Sequence, residues 1–335
     1  LRKWLRKTCN KTQWELIEQI DNFKGVTMNQ IKWNLNPLFK YDNDPNIEQK
    51  RKLIKQKSYK FIHRWKSSKD HLNNPRILKQ ALDEYETWKK YYGTDGDIGY
   101  YFWLRTNQNQ NDPELKAKFN QTDDFSKKIL NDIQFFYLRI AKIPLRHRKK
   151  FLRDARLKNY KHFLERIFAE SKYLLSEPEE KILNLKSSTS HSNWIKMTSD
   201  FLSREGRRVV LSDGRKYLKT FSELLSLMNS QHKKTRDSAA RAFNTILERH
   251  ADVAEAEMNS VLANKKIDDE IRKFSRPDLS RHISDDIDTE VVDMLLKTVS
   301  ERFDISSGYY ALKAKLLKVR RLKYHERNVE YGDIH

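Results

Sequence analysis

Between Lys233 and Phe274 the chain runs without a single glycine or proline, and no other stretch limits the fold as strongly. Ala239, Ala242, Phe243, Ile246, Ala254, Met258, Val261 and Leu262 recur at three- and four-residue steps. Ile267 and Ile271 continue the stripe, while the other face carries charge. That spacing is the signature of one long amphipathic helix, with room for a bend. At 1.5 Å per residue it would be roughly 60 Å long, enough to cross a large domain. Such a rod needs other helices along most of its length, so the flanking sequence is expected to supply them.

The rest of the chain is suited to that task. Its 335 residues are enough for about two domains with a substantial core. Few glycines and prolines, 38% apolar residues and an ample set of Tyr, Phe and Trp argue against disorder. No apolar run approaches the ~18–20 residues that span a bilayer, which excludes an integral helical membrane protein. The lone Cys9 excludes an intramolecular disulfide framework and suits a reducing, cytoplasmic setting. The start at Leu1 and the stop at Asp333-Ile334-His335 read as the two ends of a fragment. Residues 1–27 lack the apolar core of a secretory signal and read as an extension ahead of a natural start at Met28.

A net charge of +21 raises nucleic-acid binding, because Lys and Arg that displace counterions dominate that affinity. The densest cluster is Arg146-His147-Arg148-Lys149-Lys150 followed by Arg153, Arg156, Lys158 and Lys161. It falls on an amphipathic pattern, the basic residues are interleaved with 46 acidic ones, and no nucleic-acid motif accompanies them. Solvated helix faces are therefore the favoured explanation.

Asp44-Pro45, Asn74-Pro75, Asn111-Asp112-Pro113 and Ser176-Glu177-Pro178 each place a capping residue before a proline, predicting four helix starts. The expected helices run from about Asn46 to Ser67, from Pro75 past Trp88, from Pro113 through about Ile140, and onward from Glu177. Between them, Lys149 to Leu174 reads as one more, and Trp33 to Ile47 as an extended segment with turns. Gly93-Thr-Asp-Gly-Asp-Ile-Gly99 lacks both the spacing of a calcium loop and that of a phosphate loop, so a helix-to-helix turn is expected. The aromatic run Tyr100 to Trp103 returns to the core, and a stacking platform there has no further support. Val209 to Leu218, around Ser212-Asp213-Gly214, reads as a short β-hairpin. Helices over Asp288–Phe303 and Ser306–Val319 finish the chain. The fold class expected is mainly α, an elongated multi-helix array with that one hairpin.

Several segments in this order carry a family resemblance. They are W-N-L-N-P-L-F (Trp33 to Phe39), L-S-E-P-E-E-K-I-L (Leu175 to Leu183), W-I-K-M (Trp194 to Met197) and F-S-E-L-L-S-L-M (Phe221 to Met228). T-R-D-S-A-A-R-A-F (Thr235 to Phe243), N-K-K-I-D-D-E-I-R (Asn264 to Arg272) and Y-Y-A-L-K-A-K-L-L (Tyr309 to Leu317) follow. Together the series, over about residues 30 to 330, resembles oligoendopeptidase F, of the thimet oligopeptidase-like zinc metallopeptidases. The resemblance implies a mostly helical protein in which two lobes enclose a channel where short peptides are cut. It also implies residues 28–112 as an N-terminal helical region, 113–185 as the family's N-terminal-type helical domain, and 186–335 as the start of a catalytic domain truncated before the zinc motif.

In that family the zinc is held by an H-E-x-x-H helix and a downstream Glu, with the motif Glu as general base. Four-residue spacing lets both imidazoles meet one metal. The nearest sequence here is His325-Glu326-Arg327-Asn328-Val329, with Val where the second His is required. It lies where the family has a Tyr-Asp pair, so the His-Glu is read as coincidence. His63, His71, His147, His162, His191, His232, His250, His282 and His335 show no pair at ligand spacing and read as surface or partly buried. No catalytic residue and no metal ligand is therefore assigned, and the substrate-binding residues are unknown. Zinc belongs to the full-length family, and none is expected on this chain. The expected partners are short peptides and a separate C-terminal catalytic half, without membrane or nucleic acid. The alternatives are a non-catalytic helical module that binds peptides or a partner, and then a basic nucleic-acid-binding protein.

Overall fold

The structure, a computed structural model, describes residues 33–187 and 189–332. The helical pattern expected between Trp4 and Phe23, Cys9, Met28 and the last three residues lie outside them.

The architecture is mainly helical, and the local signals at helix starts explain much of it. Helix α1 (Pro45–Ser67) begins where the Asp44 carboxylate accepts the Asn46 N–H at 2.9 Å. Helix α2 (Pro75–Tyr92) begins in the same way at Asn74, which accepts from Arg76 N at 3.0 Å. After α3 (Ile98–Gln108), helix α4 (Pro113–Ile133) starts at Asp112, whose Oδ1 accepts from Glu114 N and Leu115 N. In all three, proline occupies the first turn, where its missing N–H costs nothing. These helices bury one large core that includes Ile54, Leu78, Leu82, Tyr101, Phe102 and Ile129. Each such side chain contributes about 1.5–3 kcal/mol on burial. Polar edges inside the core are matched: Trp88 Nε1 donates to Ser58 Oγ at 2.8 Å, and Trp65 Nε1 to Glu84 at 2.9 Å.

The Gly93–Gly99 loop is a helix-to-helix turn, as expected. Gly93 has φ +69°, and a Cβ there would lie 2.0 Å from the Asp97 carboxylate, so only glycine fits. Asp97 Oδ1 accepts the Thr94 N–H and Oδ2 meets Lys50 at 2.7 Å, so this carboxylate is used in closing the turn.

Three expected helices are divided. The third breaks at Gln134, giving α4 and α5 (Phe135–Ala141), and both Phe135 and Phe136 are buried. Neighbours on one straight helix point about 100° apart, so a change of axis lets both rings reach the core. The expected Lys149–Leu174 helix is α6 (Leu145–Arg153), a 3-10 segment (Ala155–Tyr160), α7 (Lys161–Glu170) and a 3-10 turn (Ser171–Tyr173). Asp154 divides it: its carboxylate accepts the Arg156 N–H at 3.0 Å, a local bond that competes with helix continuation. Helix α8 (Glu177–Ser187) and α9 (His191–Arg204) lead into the antiparallel hairpin β1 (Gly206–Val210) and β2 (Lys216–Thr220). Its strands are longer than the sequence suggests, and it is the only sheet among the described residues.

The third division falls in the long stretch itself. After α10 (Phe221–Leu227), the run from Lys233 forms α11 (Lys233–Arg249) and α12 (Ala251–Arg272), which meet at His250. The His250 ring lies over Phe201, with Nε2 2.7 Å from Glu205 Oε1, tying the junction to the end of α9. Only the α11 half of the stripe is covered. Ala239 and Ile246 form a second, small core with Val209 and Leu224, whereas Met258, Leu262 and Ile267 on α12 are exposed. The expectation of neighbours along the rod holds for both halves, since α11 packs on α10 and β1 and α12 on α9, but the apolar stripe of α12 is not what they cover. Helices α13 (Leu279–Asp285), α14 (Thr289–Glu301) and α15 (Phe303–Leu316) follow. Val291, Leu295 and Leu316 are exposed there. No helix among the described residues is long and apolar enough to cross a membrane.

Candidate functional site

The segments that carry the family resemblance are distant in sequence, and two ion pairs tie three of them into the fold. The first links L-S-E-P-E-E-K-I-L to N-K-K-I-D-D-E-I-R: Arg272 reaches Glu180 with Nη1 at 2.5 Å and Nη2 at 2.8 Å. Burial pushes the Glu180 carboxyl up, but Arg272 and the Leu175 N–H outweigh it and hold the group below the usual range.

The second joins the start of α11 to a 3-10 turn (Tyr324–Glu326) beyond α15. Arg236 Nε and Nη2 donate to Glu326 Oε1 at 3.1 and 2.8 Å, and Nη1 donates to the Gln231 carbonyl. Arg236 is 3% exposed and Glu326 1%. Glu326 Oε2 also accepts the Lys323 N–H at 3.0 Å. Beside this pair, Asp237 accepts from Lys233 at 2.6 Å, and its Oδ1 lies 2.9 Å from His325 Nε2. Desolvation raises the Glu326 and Asp237 pKa values, yet hydrogen bonds and nearby cations leave both lowered.

Asp237, His325 and Glu326 offer ligand atoms within 4.8 Å of one another, so the cluster must be tested against zinc. It does not fit. Arg236 already neutralises Glu326 and Lys233 already neutralises Asp237, so a dication would face two fixed cations. Val329, where a second ligand His would fall, is buried and offers no ligand atom. The cluster is a latch between two segments, and the resemblance of His325-Glu326 to half a zinc motif carries no metal chemistry.

Beside the latch lies a cleft of about 560 Å³. Leu225, Met228, Phe243 and Leu247 give it an apolar floor, and Asn229, Asn244, Tyr324, Arg327 and Asn328 line its polar side. Arg327 stacks over the Tyr324 ring, 3.8 Å from its centroid.

Other residues singled out from the sequence are dispersed. His71 and His282 are fully or nearly buried, which corrects the expectation of surface or partly buried histidines. Arg148 leaves the basic cluster and turns inward, donating to the carbonyls of Ala141, Ile143 and Phe168, so that the cluster is not a single solvated face. Trp103 stays exposed and stacks on Tyr100.

Comparison with known proteins gives these joints a context. The Oligopeptidase F family model (peptidase M3, N-terminal region) matches residues 139–203. An oligoendopeptidase F homolog from Borreliella burgdorferi is 23% identical over 247 residues, covering 72% of this chain and 41% of that protein. The plasmid-borne oligoendopeptidase F of Lactococcus lactis subsp. cremoris is 23% identical over 176 residues, or 50% of this chain and 28% of that one. The crystal structure of oligoendopeptidase-F from Enterococcus faecium superposes with a TM-score of 0.71 at 14% identity, covering 85% of this chain and 56% of that one.

The chain is an oligoendopeptidase F relative. It spans about two fifths of the length of the Borreliella oligoendopeptidase F homolog. In this oligoendopeptidase F relative, Arg236 and Asp237 are the residues that reading the sequence missed. The 90 positions between Arg236 and Glu326 left no local signal that could have paired them.

Proposed function

We propose that this chain forms the N-terminal, channel-forming part of an oligoendopeptidase F-like zinc metalloendopeptidase that hydrolyses short peptides in the cytoplasm. The observation that carries the reading is the ordered series of family segments within a helical fold that matches an oligoendopeptidase F structure at a TM-score of 0.71. Its 335 residues contain no H-E-x-x-H, so the hydrolytic step is assigned to sequence outside them. The role left to this chain is to hold a channel wall in place, and the Arg236–Glu326 and Arg272–Glu180 joints suit that role by fixing α11 and α12 against their neighbours.

The test is a quenched-fluorescent peptide assay. The chain alone should give no chelator-sensitive cleavage and no stoichiometric zinc by elemental analysis. Joined to the sequence encoded after His335, it should cleave. Cleavage by the isolated chain that a chelator abolishes would refute the assignment, as would an inactive joined protein.

A second reading is favoured by the exposed apolar faces of α12, α14 and α15. In it the chain is a non-catalytic helical module that captures a partner or peptides. An inactive joined protein that still binds a separate chain would select this reading.

A further inference from the structure

The cleft beside the latch has a chemistry that neither the family resemblance nor the latch requires. We infer that it binds the free carboxyl terminus of a short peptide whose last residue is apolar. The inference rests on the peptide-substrate reading above and specifies which end of the peptide this wall recognises.

Charge decides the ligand class. Around the cleft, Glu326 is consumed by Arg236, and Asp237 by Lys233 and His325. Arg327 is left with no carboxylate partner among the described residues, and the cleft is therefore electropositive. The face of Tyr324 lies against its guanidinium, 3.8 Å from ring centroid to Cζ. Arg327 is exposed and its guanidinium N–H groups have no hydrogen-bond partner among the described residues. A planar fork with a free edge is suited to a carboxylate, which it can bind in a bidentate fashion.

The amides decide the polymer. Asn229, Asn244 and Asn328 line the same cleft, and none of their carboxamides has a hydrogen-bond partner among the described residues. A carboxamide presents one acceptor and two donors side by side. That matches the alternating N–H and C=O of an extended peptide backbone. Phe243 and Leu247 from α11, with Leu225 from α10, supply an apolar floor for the terminal side chain. The Phe243 ring is itself stacked on Phe221 with centroids 5.0 Å apart, so this floor is fixed. A volume of about 560 Å³ accommodates a dipeptide or tripeptide end.

The experiment is isothermal titration of the 335-residue chain with three N-acetylated hexapeptides of the same interior. One ends in Leu with a free carboxylate, one in Leu carboxamide, and one in Asp carboxamide. The free acid should bind about tenfold more tightly than the Leu amide, as expected for one charge-assisted contact. Arg327→Gln should erase that preference, and Leu247→Asp should weaken the free acid while leaving the helical circular dichroism unchanged. Equal affinity for acid and amide overturns the carboxylate assignment, and so does a preference that survives in Arg327→Gln. An Asp carboxamide that binds as well as the free acid overturns the terminal assignment. If no peptide binds, the site is refuted, while the peptidase reading is judged separately by the hydrolysis assay of the joined protein.

Discussion

Mild acid should destabilise this protein in part through one buried histidine. His71 is fully buried in the main core, its ring meeting Trp65 edge-on at 5.4 Å and lying over Phe136 at 5.6 Å. Neither ring nitrogen has a hydrogen-bond partner. Burial, helped by Arg139 and opposed by Asp70, pushes its pKa down from 6.5 to about 4. Because the folded value is depressed, the folded state binds the proton less readily than the unfolded chain. The stability tied to neutral His71 is complete above pH 6.5 and drains away as pH falls from there toward 4. The full span is worth about 3 kcal/mol, and roughly 2 kcal/mol of it should go between pH 7 and pH 5.

The comparison is wild type against His71→Phe, which keeps an aromatic ring and removes the titrating group. Urea denaturation followed by tryptophan fluorescence is a direct readout, since Trp65 and Trp88 lie in the same core. Carboxylates titrate equally in both proteins and cancel in the difference. At pH 7 the variant should be at least as stable as wild type, because an unpartnered imidazole no longer has to be buried. At pH 5 its advantage should have grown by about 2 kcal/mol. A difference that stays flat within about 0.5 kcal/mol over that range would show that His71 finds a partner or a route to water, and the reasoning would fail.

The remaining predictions concern the latch, the uncovered faces and a cap. Glu326→Gln should cost about 3–5 kcal/mol in urea denaturation because it leaves Arg236 buried beside a neutral group, whereas Arg236→Met with Glu326→Leu should recover most of the loss. A single variant that loses less than about 1 kcal/mol would mean the pair is hydrated. The apolar faces of α14 and α15 should drive concentration-dependent association in sedimentation velocity, and Val291→Lys with Leu295→Lys should return the chain toward monomer; a wild-type monomer throughout the micromolar range would refute this. Asp112→Ala, which removes acceptance of the Glu114 and Leu115 N–H groups, should lower thermal stability by about 1 kcal/mol, checked by calorimetry.

What the sequence made legible follows how far apart the interacting residues are. The starts at Asp44, Asn74 and Asp112 were readable because cap, proline and first turn are neighbours in the chain. Asp154 was equally local and could have been read as a break, but the apolar stripe from Phe151 to Phe168 pointed to one helix. The break at His250 was not readable, since it depends on Glu205 and Phe201, which only the folded chain brings beneath it. The Arg236–Glu326 pair spans 90 positions, and no periodicity reports a contact of that range. Periodicity has a further limit on α12. A stripe of Met258, Leu262 and Ile267 shows that one face is apolar, because that is a property of the helix alone. Whether the face is covered depends on what else packs there, and among the described residues nothing covers it fully. If the wall reading is right, those three side chains should lose their exposure when the following sequence is joined. Cysteine introduced at Met258 would then react with a maleimide rapidly in the isolated chain and slowly in the joined protein, while equal rates in both would show that α12 faces solvent by design.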